Sequence, residues 1–380
     1  MARSVARSIS RHPDRRQFLT AASAVGCVSV FAPSTWAEGS ANKEVSWLAE
    51  TQQRPEKLPA DAKSFPSLLV DKAGQPIRTV AAWQERRKEL LAQWQEFLGA
   101  MPAKRDPSKP PQVKVLEADT VGNVTRQRVE YEVEPGLVTE AYICRPTELT
   151  GTTSGVVCFH STVEHSIRQP AGLGKDVQKA FGLKFAQQGR IVFSPRCFAW
   201  PANDKMAVQE ETRKYLARVP KSLGMAKMLY DSLVAVDILA KLPGVDPERL
   251  GAVGHSLGAK EVLYLAAFDE RIKVTVSSEG GVGLKFSNWN APWYLGTAID
   301  EPGFPHDHHE LLACVAPRPF LLVGGESADG DRGWPYIAAA LPAYHLSDPT
   351  ARLGQFNHRQ GHAVPPIAEE RIEEWFRTYL

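Results

Sequence analysis

The chain has 380 residues, of which 43% are hydrophobic and 23% charged. These are the proportions of an ordinary globular protein, and the length allows one large α/β domain. The formal net charge is +2. The first 37 residues carry five arginines against one aspartate, so the remainder is slightly acidic and offers no basic surplus for a nucleic-acid partner.

Asp14-Arg15-Arg16-Gln17-Phe18-Leu19 resembles the twin-arginine export signal of bacteria. A mildly apolar run from Phe18 to Phe31 follows, and Thr35-Trp36-Ala37 places small residues where a signal peptidase reads. The resemblance implies passage through the twin-arginine export machinery, cleavage near Ala37 and a periplasmic or secreted protein. The apolar run is too short and too rich in Ser and Gly for a stable membrane span. Ala24-Val25-Gly26-Cys27 has Ala where a lipoprotein signal usually has Leu, so no lipid anchor is expected. The organisation expected is therefore a signal at 1–37, a leader and helix at 38–110 packed on the domain, and a catalytic domain at 111–380.

Residues 38–78 have no strong period and read as an irregular leader. Trp83, Leu90, Leu91, Trp94, Phe97 and Leu98 recur at helical spacing over 80–99, and Gly99 and Pro102 end that pattern. A proline-rich linker spans 102–111. Residues 112–118, 124–134 and 138–145 read as antiparallel strands with turns at Gly122-Asn123 and Pro135-Gly136. Strand and helix then alternate. Strands are expected at 155–160, 190–194, 249–254, 272–277, 320–324 and 352–357. Helices are expected at 175–188, 226–242, 257–268, 307–315, 333–344 and 366–380. Early antiparallel strands followed by repeated β-α units define an α/β fold with a mostly parallel sheet and helices on both faces. Cys144 and Cys158 fall in strand-like apolar runs and Cys314 in a helical one, so with Cys197 they read as buried free thiols.

The chemistry centres on Gly254-His255-Ser256-Leu257-Gly258, a G-x-S-x-G segment between a strand run and a helix run. The chain must turn sharply at Ser256, which requires small neighbours and projects the hydroxyl above the sheet edge beside a helix N-terminus. A serine hydroxyl needs a base. His362 lies between the last strand and the last helix; His358, nearer the strand, is the rival. The acid has three candidates: Asp329 first, in the loop after 320–324; Glu279, after 272–277; and Asp331. Any of them could orient the imidazole. The amide of Leu257 and one near Thr162 are the candidates for binding an oxyanion. Lys260 and Arg196 are candidate substrate-binding cations, with Arg168 a third. Trp289, Trp293, Tyr294 and Trp334 could stack on sugar rings or simply pack a cap. His306-Asp307-His308-His309-Glu310 crowds potential metal ligands onto successive helical positions that point in different directions, so no metal is expected, and no organic cofactor.

Gly254-His255-Ser256-Leu257-Gly258-Ala259-Lys260, Ser278-Glu279-Gly280-Gly281, His308-His309-Glu310-Leu311-Leu312-Ala313, Ala316-Pro317-Arg318-Pro319 and Gly361-His362 occur in similar order in bacterial α/β-hydrolases of the dienelactone-hydrolase-like and acetyl-xylan-esterase-like group. The resemblance covers roughly residues 110–380. It implies the α/β-hydrolase fold, a serine esterase acting on carbohydrate or plant-derived esters, and support of the active-site loops by His309. A more distant likeness is to glucuronoyl esterases, which carry a lysine four residues after the serine, as Lys260 stands here, where it binds sugar hydroxyls. That family also has a Glu-containing Gly-rich loop like Glu279-Gly280-Gly281, but Arg directly after the serine where this chain has Leu257. Dienelactone hydrolases use Cys where this chain has Ser256. A peptidase or amidase on the same fold, a metal-dependent hydrolase and a catalytically silent binding protein are the alternative readings, since fold does not set substrate.

Overall fold

The computed structural model describes residues 44–201 and 205–380; the expected export signal, its cleavage point near Ala37 and Cys27 lie outside the described residues. A one-turn helix α1 (Leu48–Thr51) and a long helix α2 (Val80–Leu98) precede a meander of β1 (Lys114–Val121), β2 (Val124–Glu134) and β3 (Leu137–Pro146). The α/β part follows as β4 (Thr153–Phe159), α3 (Phe181–Gln187), β5 (Ile191–Pro195), α4 (Val208–Arg218), α5 (Gly224–Leu239), β6 (Val245–His255), α6 (Leu257–Phe268) and β7 (Ile272–Ser278). It ends with α7 (His309–Val315), β8 (Phe320–Gly324), α8 (Trp334–His345), β9 (Leu353–Asn357) and α9 (Pro366–Tyr379).

Among the described residues the strands form one sheet in the order β1-β2-β3-β5-β4-β6-β7-β8-β9. β1 to β3 are antiparallel, β5 pairs antiparallel with β3, and every pair from β5 to β9 is parallel. The parallel strands are buried on both faces, as their continuous apolar runs require. In β4, Val156 and Cys158 face Phe181, Phe185, Trp375 and Phe376 of α3 and α9. Val157 and Phe159 face Val234, Ile238, Val262 and Leu265 of α5 and α6. The period of two thus assigns each residue to a layer. Cys144, Cys158, Cys197 and Cys314 are buried free thiols.

The helix predicted over 80–99 is α2. The Thr79 hydroxyl accepts from Ala82 N at 3.2 Å as its N-cap, and Trp83, Leu90, Trp94 and Leu98 are buried. The predicted 175–188 helix is shorter: a single 3-10 turn at 177–179 precedes α3. Helix α4 is unforeseen. Its inward positions Val208, Thr212 and Tyr215 follow helical spacing, but only Val208 and Tyr215 are apolar, and charged residues fill the face between them.

Arg87 joins α2 to α6 and α7. Its guanidinium is buried and donates to Cys314 O at 2.6 Å and Ala267 O at 3.1 Å, and it pairs with Glu270. Those carbonyls lie in the last turns of α7 and α6, where carbonyls lack helical partners and a cation complements the dipole. Replacing Arg87 by Ala leaves both acceptors buried and unpaired. It should lower stability by about 2–4 kcal/mol, read as a lower urea midpoint at unchanged m-value.

Candidate active site

β6 ends at His255 and α6 begins at Leu257, so Ser256 is the whole turn. Its backbone sits at φ +60°, ψ −114°, a conformation that residues with a side chain rarely adopt. The Ser256 amide donates to Ser278 O on β7 at 2.8 Å. A methyl group on Gly254 would lie 2.3 Å from the Gly258 carbonyl, and one on Gly258 would lie 2.6 Å from Phe159 O. The flanking glycines therefore have a steric origin: strand, turn and helix touch through bare backbone. The Leu257 amide, first in α6, has no acceptor within the helix.

His362 arrives from the loop after β9. Its Nδ1 donates to Glu279 Oε2 at 3.1 Å; the imidazole is partly exposed and the carboxylate fully buried. Glu279, just past β7, also has a positive φ of 56°. Its carboxylate accepts from Gly325 N and, at 2.7 Å, from Ala328 N. Ser256, Glu279 and His362 line one cavity of about 100 Å³ together with Thr162, Leu257 and Lys260.

Asp329 follows β8, where its position made it the first candidate for the acid, but the structure does not bring it to His362. Its oxygens accept from Gly281 N at 2.7 Å and Val282 N at 2.6 Å. Burial raises its pKa to about 6, against the lowering effect of those two bonds. Asp331 is also turned away, accepting from Asn357 Nδ2 at 2.8 Å and Arg359 Nη2 at 2.6 Å. His358 lies beneath Gly325, whose Cβ would fall 2.4 Å from its ring, and its Nδ1 accepts from Gln360 N at 3.1 Å.

Lys260 is buried, and its Nζ donates to Gly280 O. Its Nζ lies 4.1 Å from the ring centre of Trp289 and 5.2 Å from that of Tyr294, distances at which the protonated form meets cation–π range. Burial lowers its pKa from 10.5 to about 7, with Asp329 opposing the shift. Arg196, paired with it as a candidate in the sequence, lines other cavities instead. Its guanidinium donates to Ser166 Oγ at 2.9 Å and pairs with Glu140 at 2.7 Å. Arg168 lines one of the same cavities. Of the aromatic group, Trp293 and Tyr294 line the Ser256 cavity, Trp289 packs against Lys260, and Trp334 begins α8.

The 306–310 segment is structural in its contacts. Asp307 accepts from Tyr336 Oη at 3.0 Å and pairs with Lys63, while His306 Nδ1 contacts Glu310 Oε2 at 2.9 Å. The histidine that reaches the site loops is His308, through Val282 O at 2.8 Å, and not His309, whose ring stacks on Phe65 at 3.9 Å. Successive residues at a helix start diverge, so two adjacent histidines could not share that role. Among the described residues no three potential ligands converge on a metal position. Trp200 lines the cavity and was not anticipated; the aromatic-rich Cys197-Phe198-Ala199-Trp200 loop directly after a parallel strand was its only signal.

The sequence model of the dienelactone hydrolase family matches residues 140–313. YtaP of Bacillus subtilis (strain 168) is 27% identical over 63% of this chain and 80% of its own length. 4-O-methyl-glucuronoyl methylesterase 1 of Sodiomyces alcalophilus is 29% identical over 26% of this chain, and the match spans a quarter of that enzyme. Among solved structures, the glucuronoyl esterase from Solibacter usitatus superposes with a TM-score of 0.65 over 84% of this chain and 99% of its own, at 18% identity. The fold is α/β-hydrolase-like and related to those of the dienelactone hydrolase, acetyl-xylan esterase and glucuronoyl esterase families.

The burial of Lys260 has a consequence for stability. Between pH 7 and 10.5 the unfolded chain holds a proton at this amine that the folded chain has released, so its contribution to stability rises with pH. Relative to a Lys260→Met variant, the wild type should gain up to about 1.4 kcal/mol per pH unit from pH 7 to 9 in denaturant titrations. A stability difference that stays constant with pH would contradict the buried amine.

Proposed function

We propose that the protein is a serine-dependent carboxylic-ester hydrolase that works through an acyl-enzyme on Ser256. The observation that carries this reading is the sharing of one cavity by Ser256, on a strained strand-to-helix turn, and His362, whose Nδ1 is held by a buried carboxylate. In the proposed cycle His362 Nε2 takes the Ser256 proton as Oγ attacks the ester carbonyl. Glu279, rather than Asp329, keeps the imidazole oriented and stabilises its charged form. The amides of Leu257 and Thr162 receive the oxyanion. His362 then protonates the departing alcohol and activates water to release the acid.

The proposed substrates are carbohydrate or plant-derived esters. Trp293 and Tyr294 in the cavity wall support stacking on a sugar ring. A second reading, the ester of a uronic acid, is favoured by Lys260, whose placement in the wall suits sugar hydroxyls or a polar acyl group, and by the glucuronoyl esterases among the similar proteins. Leu257 stands where those enzymes carry Arg, so the oxyanion would rest on amides alone. Export by the twin-arginine route remains part of the proposal; among the described residues no helix is long and apolar enough to cross a membrane.

The test is acid release from acetylated xylan, a methyl glucuronate, an aryl acetate and a matched anilide. Ser256→Ala and His362→Ala should each lose at least about 10⁴-fold in kcat/KM, and Glu279→Gln about 10²–10⁴-fold. Cleavage of the anilide at a comparable rate would favour an amidase. Full activity of Ser256→Ala would remove the proposed nucleophile, and a folded wild type inert to every substrate and to a fluorophosphonate probe would favour a binding protein.

A further inference from the structure

The turn that carries Glu279 is buried, and from Gly280 to Val282 its backbone meets side chains. Residues Glu279 to Leu284 are all buried, so each peptide group needs a partner inside the protein. Gly280 O accepts from Lys260 Nζ. Gly281 N and Val282 N donate to the two oxygens of Asp329. Gly281 O accepts from Trp289 Nε1 at 2.6 Å, and Val282 O contacts His308 Nδ1 at 2.8 Å. Three of these partners are ionisable, and they match the peptide polarity. The Gly280–Gly281 peptide has the Lys260 amine donating to its carbonyl and a carboxylate accepting from its N–H.

The loops after β7 and β8 also exchange carboxylates. Glu279, from the β7 end, accepts from Gly325 N and Ala328 N in the β8 loop. Asp329, from the β8 loop, accepts from Gly281 N and Val282 N in the β7 turn. The Asp329 carbonyl in turn accepts from Gly325 N at 3.1 Å and Glu326 N at 2.8 Å, closing its own loop. Each carboxylate therefore fixes the backbone on which the other stands.

We infer that Asp329 is a positioning residue: through the Gly281 and Val282 amides it holds the buried turn that sets the Glu279 carboxylate against His362 Nδ1. The inference rests on the proposed role of Glu279 as partner of the catalytic imidazole. Asp329 itself touches neither His362 nor the Ser256 hydroxyl. An amide in its place supplies one acceptor oxygen, and its NH₂ faces an N–H donor, so one strut of the turn becomes a repulsive contact. The effect on chemistry is a loss of imidazole orientation, which lowers the rate of the chemical step more than substrate binding.

The experiment compares Asp329→Asn, Trp289→Phe and Glu279→Gln with the wild type by two readouts. One is the low-field NMR resonance of the His362 Nδ1 proton, which does not depend on turnover. The other is kcat and KM on an aryl acetate. In the wild type the resonance should be present, and in Glu279→Gln it should be lost. In Asp329→Asn it should shift or broaden, with kcat reduced about 10- to 100-fold and KM changed less than about threefold. Trp289→Phe keeps an aromatic ring and removes one strut of the same turn, so it should move both readouts the same way by about 3- to 10-fold in kcat; it also keeps the test decisive if Asp329→Asn does not fold. An unmoved resonance with kcat within about twofold of wild type in the folded variants overturns the inference. So does a loss in Asp329→Asn that matches His362→Ala while Glu279→Gln stays near wild type, since Asp329 would then be the acid. An inert wild type that keeps the resonance, with Asp329→Asn moving it, refutes the esterase reading and leaves the positioning role standing.

Discussion

Peptide groups that fold into a water-excluded turn must be paired or their desolvation is uncompensated, and the segment after β7 illustrates how far that requirement reaches. The partners of Gly280, Gly281 and Val282 come from α6, from the loop before α7, from the start of α7 and from the loop after β8. His308, which contacts Val282 O, is itself fixed through its other ring nitrogen by Tyr264 Oη at 2.9 Å and lies 5.4 Å from the ring of Trp94 in α2. A path of packed rings thus connects the leader helix to the turn that bears Glu279. Burial keeps His308 neutral, with a pKa lowered to about 4, so its protonation state does not change across the neutral range.

The same economy governs the strand ends. Ser256 and Glu279 both hold positive φ, a cost of about 1–3 kcal/mol each, at the ends of adjacent parallel strands. Each is restrained by the next strand. Ser256 N donates to Ser278 O, Glu279 N to Val323 O at 2.8 Å, and His358 N to Gly324 O at 2.8 Å. The parallel ladder continues one residue beyond β6, β7 and β9, and that continuation holds the backbone of the proposed nucleophile and of the acid's turn in sparsely populated conformations. Such strain is stable only where the surroundings over-determine it, and here they do so with sheet hydrogen bonds.

How much of this was legible in the sequence follows from the range of the forces involved. The turn at Ser256 was legible because its constraints are local: Gly254 and Gly258 are excluded from bearing side chains by contacts within a few residues and with one neighbouring strand. The sheet was legible because burial on two faces writes itself as continuous apolar runs. The choice between Asp329 and Glu279 was not, because both follow parallel strands that open on the same crevice and only the folding-back of two loops decides which carboxylate meets His362. Helix α4 was hidden by its charged face, and His308 by its neighbour His309, since no spacing rule separates two adjacent histidines at a helix start. Arg196 read as a crevice cation but is occupied by Glu140 and Ser166, partners distant in sequence.

The exchange of carboxylates between the two loops also bears on why their roles divide as proposed. A triad acid must carry its charge when the imidazole becomes protonated. Glu279 meets three donors: two backbone amides and the imidazole itself. Asp329 meets two backbone amides, and burial together with the nearby Glu279 charge moves its pKa up to about 6. Asp329 therefore stands where it accepts hydrogen bonds from peptide groups alone. Glu279 stands where, in the proposed cycle, charge develops on the imidazole. Lys260 completes the division, because its Nζ donates on the carbonyl side of the Gly280–Gly281 peptide while Asp329 accepts on the amide side, and neither bonds to His362.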